Sequence, residues 1–256
     1  MPLVIAHRGA SAEAPENSLL AFRRARELGA DGVELDVMRC GSGEVVVFHD
    51  DDLWRLGGRP GAIRSLPLAA LREIDLGGGA RIPTLAEALE EIGPELLVNV
   101  ELKAPERRGL EHLAAVRDEG LAVAVAEILQ RAPRAERFIV SSFDPFLLGR
   151  FRRISPRTAS AYLFHHQLAY PLRAAWPAAL LKPVALHPEV DLVTAQALRQ
   201  WHRAGYAVNV WTVDDAREIA WLAALGVDGI ITNRPGEARR ALERLGADPI
   251  AAAAIS

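Results

Sequence analysis

Glu34 and Asp36 stand two residues apart inside the apolar, β-prone run Gly32-Val33-Glu34-Leu35-Asp36-Val37. Side chains at i and i+2 of a strand leave the same face, roughly 6.6 Å apart along the chain, so the two carboxylates point together while Val33, Leu35 and Val37 point the other way. Against a packed interior and without a counter-charge, such a pair costs several kcal/mol. A second strand-like run, Leu96 to Lys103, alternates in the same way and puts Asn99, Glu101 and Lys103 on one face. Glu34, Asp36 and Glu101 together make an all-oxygen donor set suited to one hard divalent cation, Mg²⁺ or Ca²⁺, with Mn²⁺ a further candidate. The alternative is a structural ion network in which Arg8 and Lys103 neutralise the carboxylates. Two cations against three carboxylates leave negative charge over, which favours the metal.

His7 and His49 end early strand-like runs beside charged neighbours, and two histidines flanking one site suit general acid and general base catalysis near neutral pH. Arg8 and Lys103 then face an anionic oxygen group, Arg8 offering a bidentate fork and Lys103 a point charge. With the cation they favour phosphate as the core of a small-molecule substrate. Trp211 is either an apolar wall of the pocket or part of the barrel packing. His165 and His166, in a loop, and His112 and His202, on helices, read as solvated surface residues. Asp144-Pro145 reads as a helix start.

The elements that must position these residues alternate strand and helix. Leu3 to His7 is a strand, and a helix begins after Pro15-Glu16-Asn17-Ser18 and ends at Gly29. Gly32 to Val37, Val45 to Phe48 and Leu96 to Lys103 follow as strands, the last preceded by a helix that Pro83-Thr84 caps. Strands at 138–142, 158–163, 184–187, 207–213 and 228–232 then alternate with helices of ordinary length. This rhythm predicts parallel βαβ units and an α/β fold, a (β/α)8 TIM barrel, spanning residues 1–256 as one domain. Nine strand-like segments compete for eight barrel positions, so one lies outside the barrel or is not a strand. A doubly wound open sheet lacks the Gly-x-Gly-x-x-Gly that would follow its first strand. The glycine-rich stretch of about 51–82 reads as a compact insertion after the third strand, with one short helix near Leu68 to Ile74. Strands of a parallel barrel are covered on both faces, so their polar residues are informative. Here they gather at the strands' C-terminal ends, where such barrels carry their sites.

Composition narrows the partners. A net charge of -3 and a pI near 6.2 supply no basic field for nucleic acid. Cys40 is the only cysteine, so no internal disulfide or thiolate cluster forms, and a reducing cytoplasm is the expected compartment. Met1 leads directly into Leu3-Val4-Ile5-Ala6 with no secretory signal, and no apolar run approaches the roughly 20 residues that cross a bilayer. The alanines of 251–254 read as a frayed end.

The motifs His7-Arg8-Gly9, Pro15-Glu16-Asn17-Ser18, Gly32 to Val37, Val47-Phe48-His49-Asp50 and Ile82-Pro83-Thr84-Leu85 occur in this order. They are followed by Val100-Glu101-Leu102-Lys103, Ser141-Ser142-Phe143, Val210-Trp211-Thr212-Val213 and Gly226 to Thr232. With these motifs the chain resembles the glycerophosphodiester phosphodiesterase family over essentially its whole length. The resemblance implies a phosphodiesterase barrel that hydrolyses a glycerophosphodiester to sn-glycerol 3-phosphate and an alcohol. It implies further that His7 and His49 act as acid and base, that Glu34, Asp36 and Glu101 bind the metal, and that Arg8 and Lys103 hold the phosphate. Glu16 is placed near the substrate by the same resemblance. The chain departs from the family at Leu53-Trp54-Arg55-Leu56-Gly57, where the arginine is usually followed by threonines, and its insertion after His49 is compact. Lysolipid hydrolysis of the phospholipase D or C kind is an alternative, unsupported by any amphipathic segment in the sequence; a non-catalytic phosphodiester-binding barrel is another, opposed by the presence of both histidines and every ligand.

Overall fold

The computed structural model describes residues 1–104 and 120–247; His112 and the alanines of 251–254 lie outside them. The first unit is β1 (Leu3–His7), α1 (Leu19–Glu27) and β2 (Gly32–Arg39). The Ser18 side chain caps α1 by accepting from the Ala21 amide at 3.2 Å, and Gly29 follows the helix with a φ of 73° that suits glycine. After β3 (Val45–Val47) come the short helices α2 (Trp54–Gly57) and α3 (Leu68–Arg72), then α4 (Leu85–Ile92) and β4 (Leu97–Leu102). Thr84 and Glu87 close a reciprocal capping box at the start of α4. The second half runs α5 (Leu121–Arg131), β5 (Phe138–Ser142), α6 (Pro145–Ile154), β6 (Ala159–Phe164), α7 (Tyr170–Arg173), α8 (Trp176–Leu181) and β7 (Ala185–Pro188). It ends with α9 (Ala195–Arg203), β8 (Ala207–Val210), α10 (Ala216–Leu225), β9 (Gly229–Thr232) and α11 (Pro235–Ala247). Asp144 caps α6 from the position before Pro145, as its sequence predicts.

Neighbouring strands pair in parallel from β2 and β4 round to β9, and β1 pairs with both β9 and β2, which closes a (β/α)8 TIM barrel. The ninth segment is β3, and it pairs antiparallel with the end of β2, Val37 opposite Val47 and Arg39 opposite Val45. The reason is length: β2 uses Gly32 to Val37 against β4 and still has Met38 and Arg39 beyond the barrel. Five residues then suffice for the turn back, with Gly43 at a φ of 103°.

Alternate strand residues go to different cores. Val33, Leu35, Val37, Val98, Val100 and Leu102 face outward onto Phe22, Ala25, Leu85, Ala88 and Val125. Inside, Ile139, Ala161 and Ala185 pack with Leu97, Ala159 and Ala207, and the four alanines leave room for polar side chains above them. The insertion of 51–82 has a satellite core of its own, in which Leu53, Ile63, Leu71 and Ile74 cover Met38, Val46 and Phe48. No helix among the described residues is long and apolar enough to cross a membrane.

His187, on β7, is the fully buried polar residue with a direct effect on stability. Asn209 Nδ2 donates to its Nε2 at 2.9 Å, so the neutral ring carries its proton on Nδ1, which has no partner among the described residues. Burial pushes its pKa down from 6.5 to about 3. A depressed folded pKa means that this contribution to stability is complete above pH 6.5 and is lost as pH falls towards 3. By about pH 4 the loss is on the order of 3 kcal/mol. His187→Gln should therefore flatten the fall of Tm between pH 6.5 and about 4, followed by circular dichroism in EDTA. A wild-type slope in the variant would refute the assignment.

Candidate active site

The loop after β1 bends sharply at His7-Arg8-Gly9. Arg8 takes a left-handed φ of 55°, uncommon for a side chain of its size, and Gly9 follows at 80°. A Cβ on Gly9 would lie 2.6 Å from Ala21 Cβ, so only glycine lets the loop touch α1. This bend turns the Arg8 amide onto Glu34 Oε2 at 2.9 Å and its guanidinium towards Asp36 and Glu16. Arg8 Nη1 donates to Glu16 Oε1 at 2.8 Å, while Nε stands 3.1 Å from Asp36 Oδ2 as an ion pair without hydrogen-bond alignment.

His7 is held by a chain that reaches across the barrel seam. Asp214 accepts from the Asn233 amide nitrogen Nδ2 at 2.6 Å and from the Thr232 hydroxyl at 2.8 Å. A carboxylate can only accept, so Asn233 must turn Oδ1 to His7, where it meets Nδ1 at 2.8 Å and also accepts from Ser11. His7 therefore carries its proton on Nδ1 and keeps the Nε2 lone pair free, 4.0 Å from Glu34 Oε2. Burial, and then the charge of Arg8, push its pKa down to about 4, so the ring is neutral at pH 7.

The three expected metal ligands meet. Glu34, Asp36 and Glu101 are buried, and each offers an oxygen within 4.8 Å of the others. Asn17, itself fully buried at a φ of 55°, donates to Asp36 Oδ2 at 2.9 Å and accepts from its backbone amide. Lys103 Nζ lies 3.1 Å from Glu101 Oε1 and 3.6 Å from Asp36 Oδ1. Burial would raise the pKa of Asp36, but Lys103 and Arg8 outweigh it and hold this carboxyl well below the usual range. Burial, with the charges of Asp36 and Glu101, instead pushes Glu34 far up. Glu101 is raised by burial against the pull of Lys103. Glu34 Oε1 and Asp36 Oδ1 are buried without a hydrogen-bond donor among the described residues. An oxygen-only cluster that is short of positive charge and keeps acceptors open fits a hard divalent cation.

His49 and Asp50 follow β3, and His49 Nδ1 meets Asp50 Oδ1 at 2.6 Å. Asp50 also takes Arg55 of α2 at 2.7 Å and 3.0 Å, and the same guanidinium binds Glu16 at 2.7 Å and 2.9 Å. Arg55 thus links the carboxylate behind His49 to the carboxylate behind Arg8. The sequence motifs include Asn17 and Arg55 without assigning either a role, and they do not include Asp214 or Asn233, which follow β8 and β9.

A cavity of about 290 Å³ collects these groups: His7, Arg8, Glu34, His49, Asn99 and Glu101 form one wall. Phe143, Leu163, His165, Gln167, Glu189, Trp211 and Ile231 form the other. Trp211 is both wall and packing: its indole N–H donates to the His187 carbonyl at 2.8 Å and its ring meets Phe143 edge to face at 5.4 Å. His165 corrects the sequence expectation, since it is half-buried in the cavity wall against Phe143, whereas His166 and His202 are exposed and paired with Glu189 and Asp228. Glu16, expected at the substrate, is outside the lining and spends its oxygens on Arg8 and Arg55. A larger cavity, about 480 Å³, lies between α4 and α5; Glu90, Arg131 and Arg137 are its charged lining residues, and no histidine lines it.

Comparison with known proteins agrees with this geometry. The model of the glycerophosphoryl diester phosphodiesterase family matches residues 7–237. A glycerophosphodiester phosphodiesterase of Caldanaerobacter subterraneus subsp. tengcongensis is 34% identical over 242 residues, covering 91% of this chain and 94% of the relative. A phosphodiesterase of Oleispira antarctica, solved in complex with the product sn-glycerol-3-phosphate, superposes with a TM-score of 0.83 at 31% identity and covers 95% of this chain and 97% of its own. The glycerophosphodiester phosphodiesterase of Thermotoga maritima does so with a TM-score of 0.74, also at 31% identity, covering 92% of this chain and 96% of its own. On the match of its family model and of a relative aligned along nearly its whole length, the chain belongs to the glycerophosphoryl diester phosphodiesterase family.

Proposed function

We propose that this protein is a metal-dependent hydrolase that converts glycerophosphodiesters to sn-glycerol 3-phosphate and an alcohol, acting in the cytoplasm on small molecules and built as one catalytic domain with the insertion of 51–82. The observation that carries the reading is the meeting, in one cavity, of two oriented histidines with a buried carboxylate cluster short of positive charge. Glu34, Asp36 and Glu101 would hold the cation, which supplies a Lewis acid for a non-bridging phosphate oxygen. Arg8 and Lys103 stabilise the charge that builds on the phosphoryl oxygens. Glu16 anchors Arg8 rather than touching substrate, and Trp211 lines the wall opposite the histidines.

The histidine geometry divides the proton work. His7, neutral with its Nε2 lone pair free, takes the proton of the attacking hydroxyl. His49, fixed by Asp50 at Nδ1, has Nε2 left to deliver a proton to the departing alcohol oxygen. One P–O bond forms to the nucleophile as the P–O bond to the alcohol breaks, and the two protons balance.

Incubation with glycerophosphocholine, followed by ³¹P NMR, should yield glycerol 3-phosphate with Mg²⁺, Mn²⁺ or Ca²⁺ and none in EDTA. Absence of turnover with all three metals, on any small glycerophosphodiester, would sink the proposal. A cyclic phosphate that precedes the product would assign the glycerol 2-hydroxyl as nucleophile, and its absence assigns water.

His49→Ala should lower kcat on glycerophosphocholine by about 10²-fold or more, and much less on a glycerophospho-p-nitrophenyl ester, whose leaving group needs no proton. Equal losses on both substrates would remove His49 as the acid.

Asp214→Asn is nearly isosteric, yet it lets Asn233 flip and offers His7 the wrong tautomer. We expect kcat to fall on the order of 10²-fold with Tm little changed. Full activity would show that the chain through Asn233 does not set the base.

A further inference from the structure

Residues 145–188 contain no aspartate or glutamate, yet they carry Arg150, Arg152, Arg153, Arg157, Arg173 and Lys182, in a chain whose net charge is -3. Within this acid-free stretch, the connection between β6 and β7 displays large apolar side chains. Tyr170 and Trp176 are each about 60% exposed and Leu180 is 89% exposed. Trp176 and Leu180 are four residues apart on α8 and so share a helix face. The Trp176 and Tyr170 rings meet edge to face at 5.9 Å, and the Arg173 guanidinium lies over the Tyr170 ring at 5.6 Å. The stripe is therefore an ordered surface of aromatic rings, one leucine and basic groups, with Arg173 and Lys182 both exposed.

We infer that this stripe on α7 and α8 docks the enzyme on an anionic phospholipid surface. Tryptophan and tyrosine suit the boundary between headgroup and acyl chain, leucine adds apolar burial below it, and arginine and lysine answer anionic headgroups. A second copy of the chain fits less well. A twofold contact would bring the stripe against itself, and so Arg173 and Lys182 against their own like charges with no carboxylate between 145 and 188 to answer them. The same connection begins with His165, which lines the catalytic cavity, and runs through the stripe to Lys182, shortly before β7. The sequence shows no amphipathic segment here because the apolar residues are interspersed with Ala175 and Ala178, which are buried, and the exposure of Trp176 and Leu180 emerges only with the fold.

Flotation of the full-length protein with vesicles tests the inference. It should float with POPC/POPG (7:3) vesicles and remain behind with pure POPC, and about 0.5 M NaCl should release it. Trp176→Ser with Leu180→Ser, and separately Arg173→Glu with Lys182→Glu, should each weaken partitioning by at least about ten-fold while hydrolysis of soluble glycerophosphocholine and Tm stay as in the wild type. No flotation with the anionic vesicles overturns the inference, as does equal flotation with both compositions. So does a dimer, by light scattering, that the Trp176→Ser/Leu180→Ser variant converts to monomer. The second variant pair keeps the test decisive should the first fail to fold.

Discussion

The architecture of the site follows from three carboxylates, Glu34, Asp36 and Glu101, buried together on two adjacent strands. Desolvation and mutual repulsion both oppose their charge, and among the described residues Arg8 and Lys103 are the arginine and lysine that pair with them. Those two cations converge on Asp36, which stays ionised, while Glu34 absorbs the deficit as a strongly raised pKa. Much of the surrounding structure serves this balance: the left-handed turn at Arg8, the glycine that lets it lie on α1, and Asn17 bound to both the side chain and the backbone of Asp36. A cluster arranged in this way, three carboxylates against two cations, is short of positive charge. That is a reason for a metal drawn from electrostatics alone, before any relative is considered.

The carboxylates were legible in the sequence because barrel strands are otherwise apolar, so any charge in them stands out against an alternating pattern. The same pattern has no direction, which is why nine strand-like runs could not be sorted into eight and one. Only the pairing of Val37 with Val47 reveals β3 as the return arm of a hairpin. Asp214 and Asn233 were illegible for a different reason: they sit in loops, and Asn233 finds His7 at a sequence separation of 226 residues; Asn17 stood in a motif that says nothing of its bond to Asp36. His165 was misplaced on similar grounds, since the burial of a loop residue follows from neighbours in space and leaves no periodic mark.

The insertion reaches the candidate site. Its apolar core covers the hairpin, and Arg55 projects from α2 to bind Asp50 and Glu16 with four hydrogen bonds. Arg55 is almost half exposed, and an ion pair in that setting adds only about 0–1 kcal/mol to stability. Its value is geometric. A planar fork that satisfies two carboxylates at once fixes the distance between them, and those carboxylates in turn orient Arg8 on the β1 loop and His49 after β3. Two elements of the candidate site from different supersecondary units are thereby referred to one rigid group.

The barrel is divided by charge. Strands β1, β2 and β4, with the hairpin, carry the histidines, the carboxylates and their cations, whereas the opposite wall offers Phe143, Leu163, Trp211 and Ile231 to the same cavity. Glu189 is the carboxylate on that wall, and His166 binds one of its oxygens through both backbone and ring. Changes in the far wall therefore leave the electrostatic balance of the cluster untouched, because no charge needed there is supplied by it. His7 is the exception to this division, since Asn233 and Asp214, which follow β9 and β8, hold its ring. On the function proposed above, selection on the alcohol is expected to act through the loops after β5, β6 and β7, which supply neither the cluster nor this support.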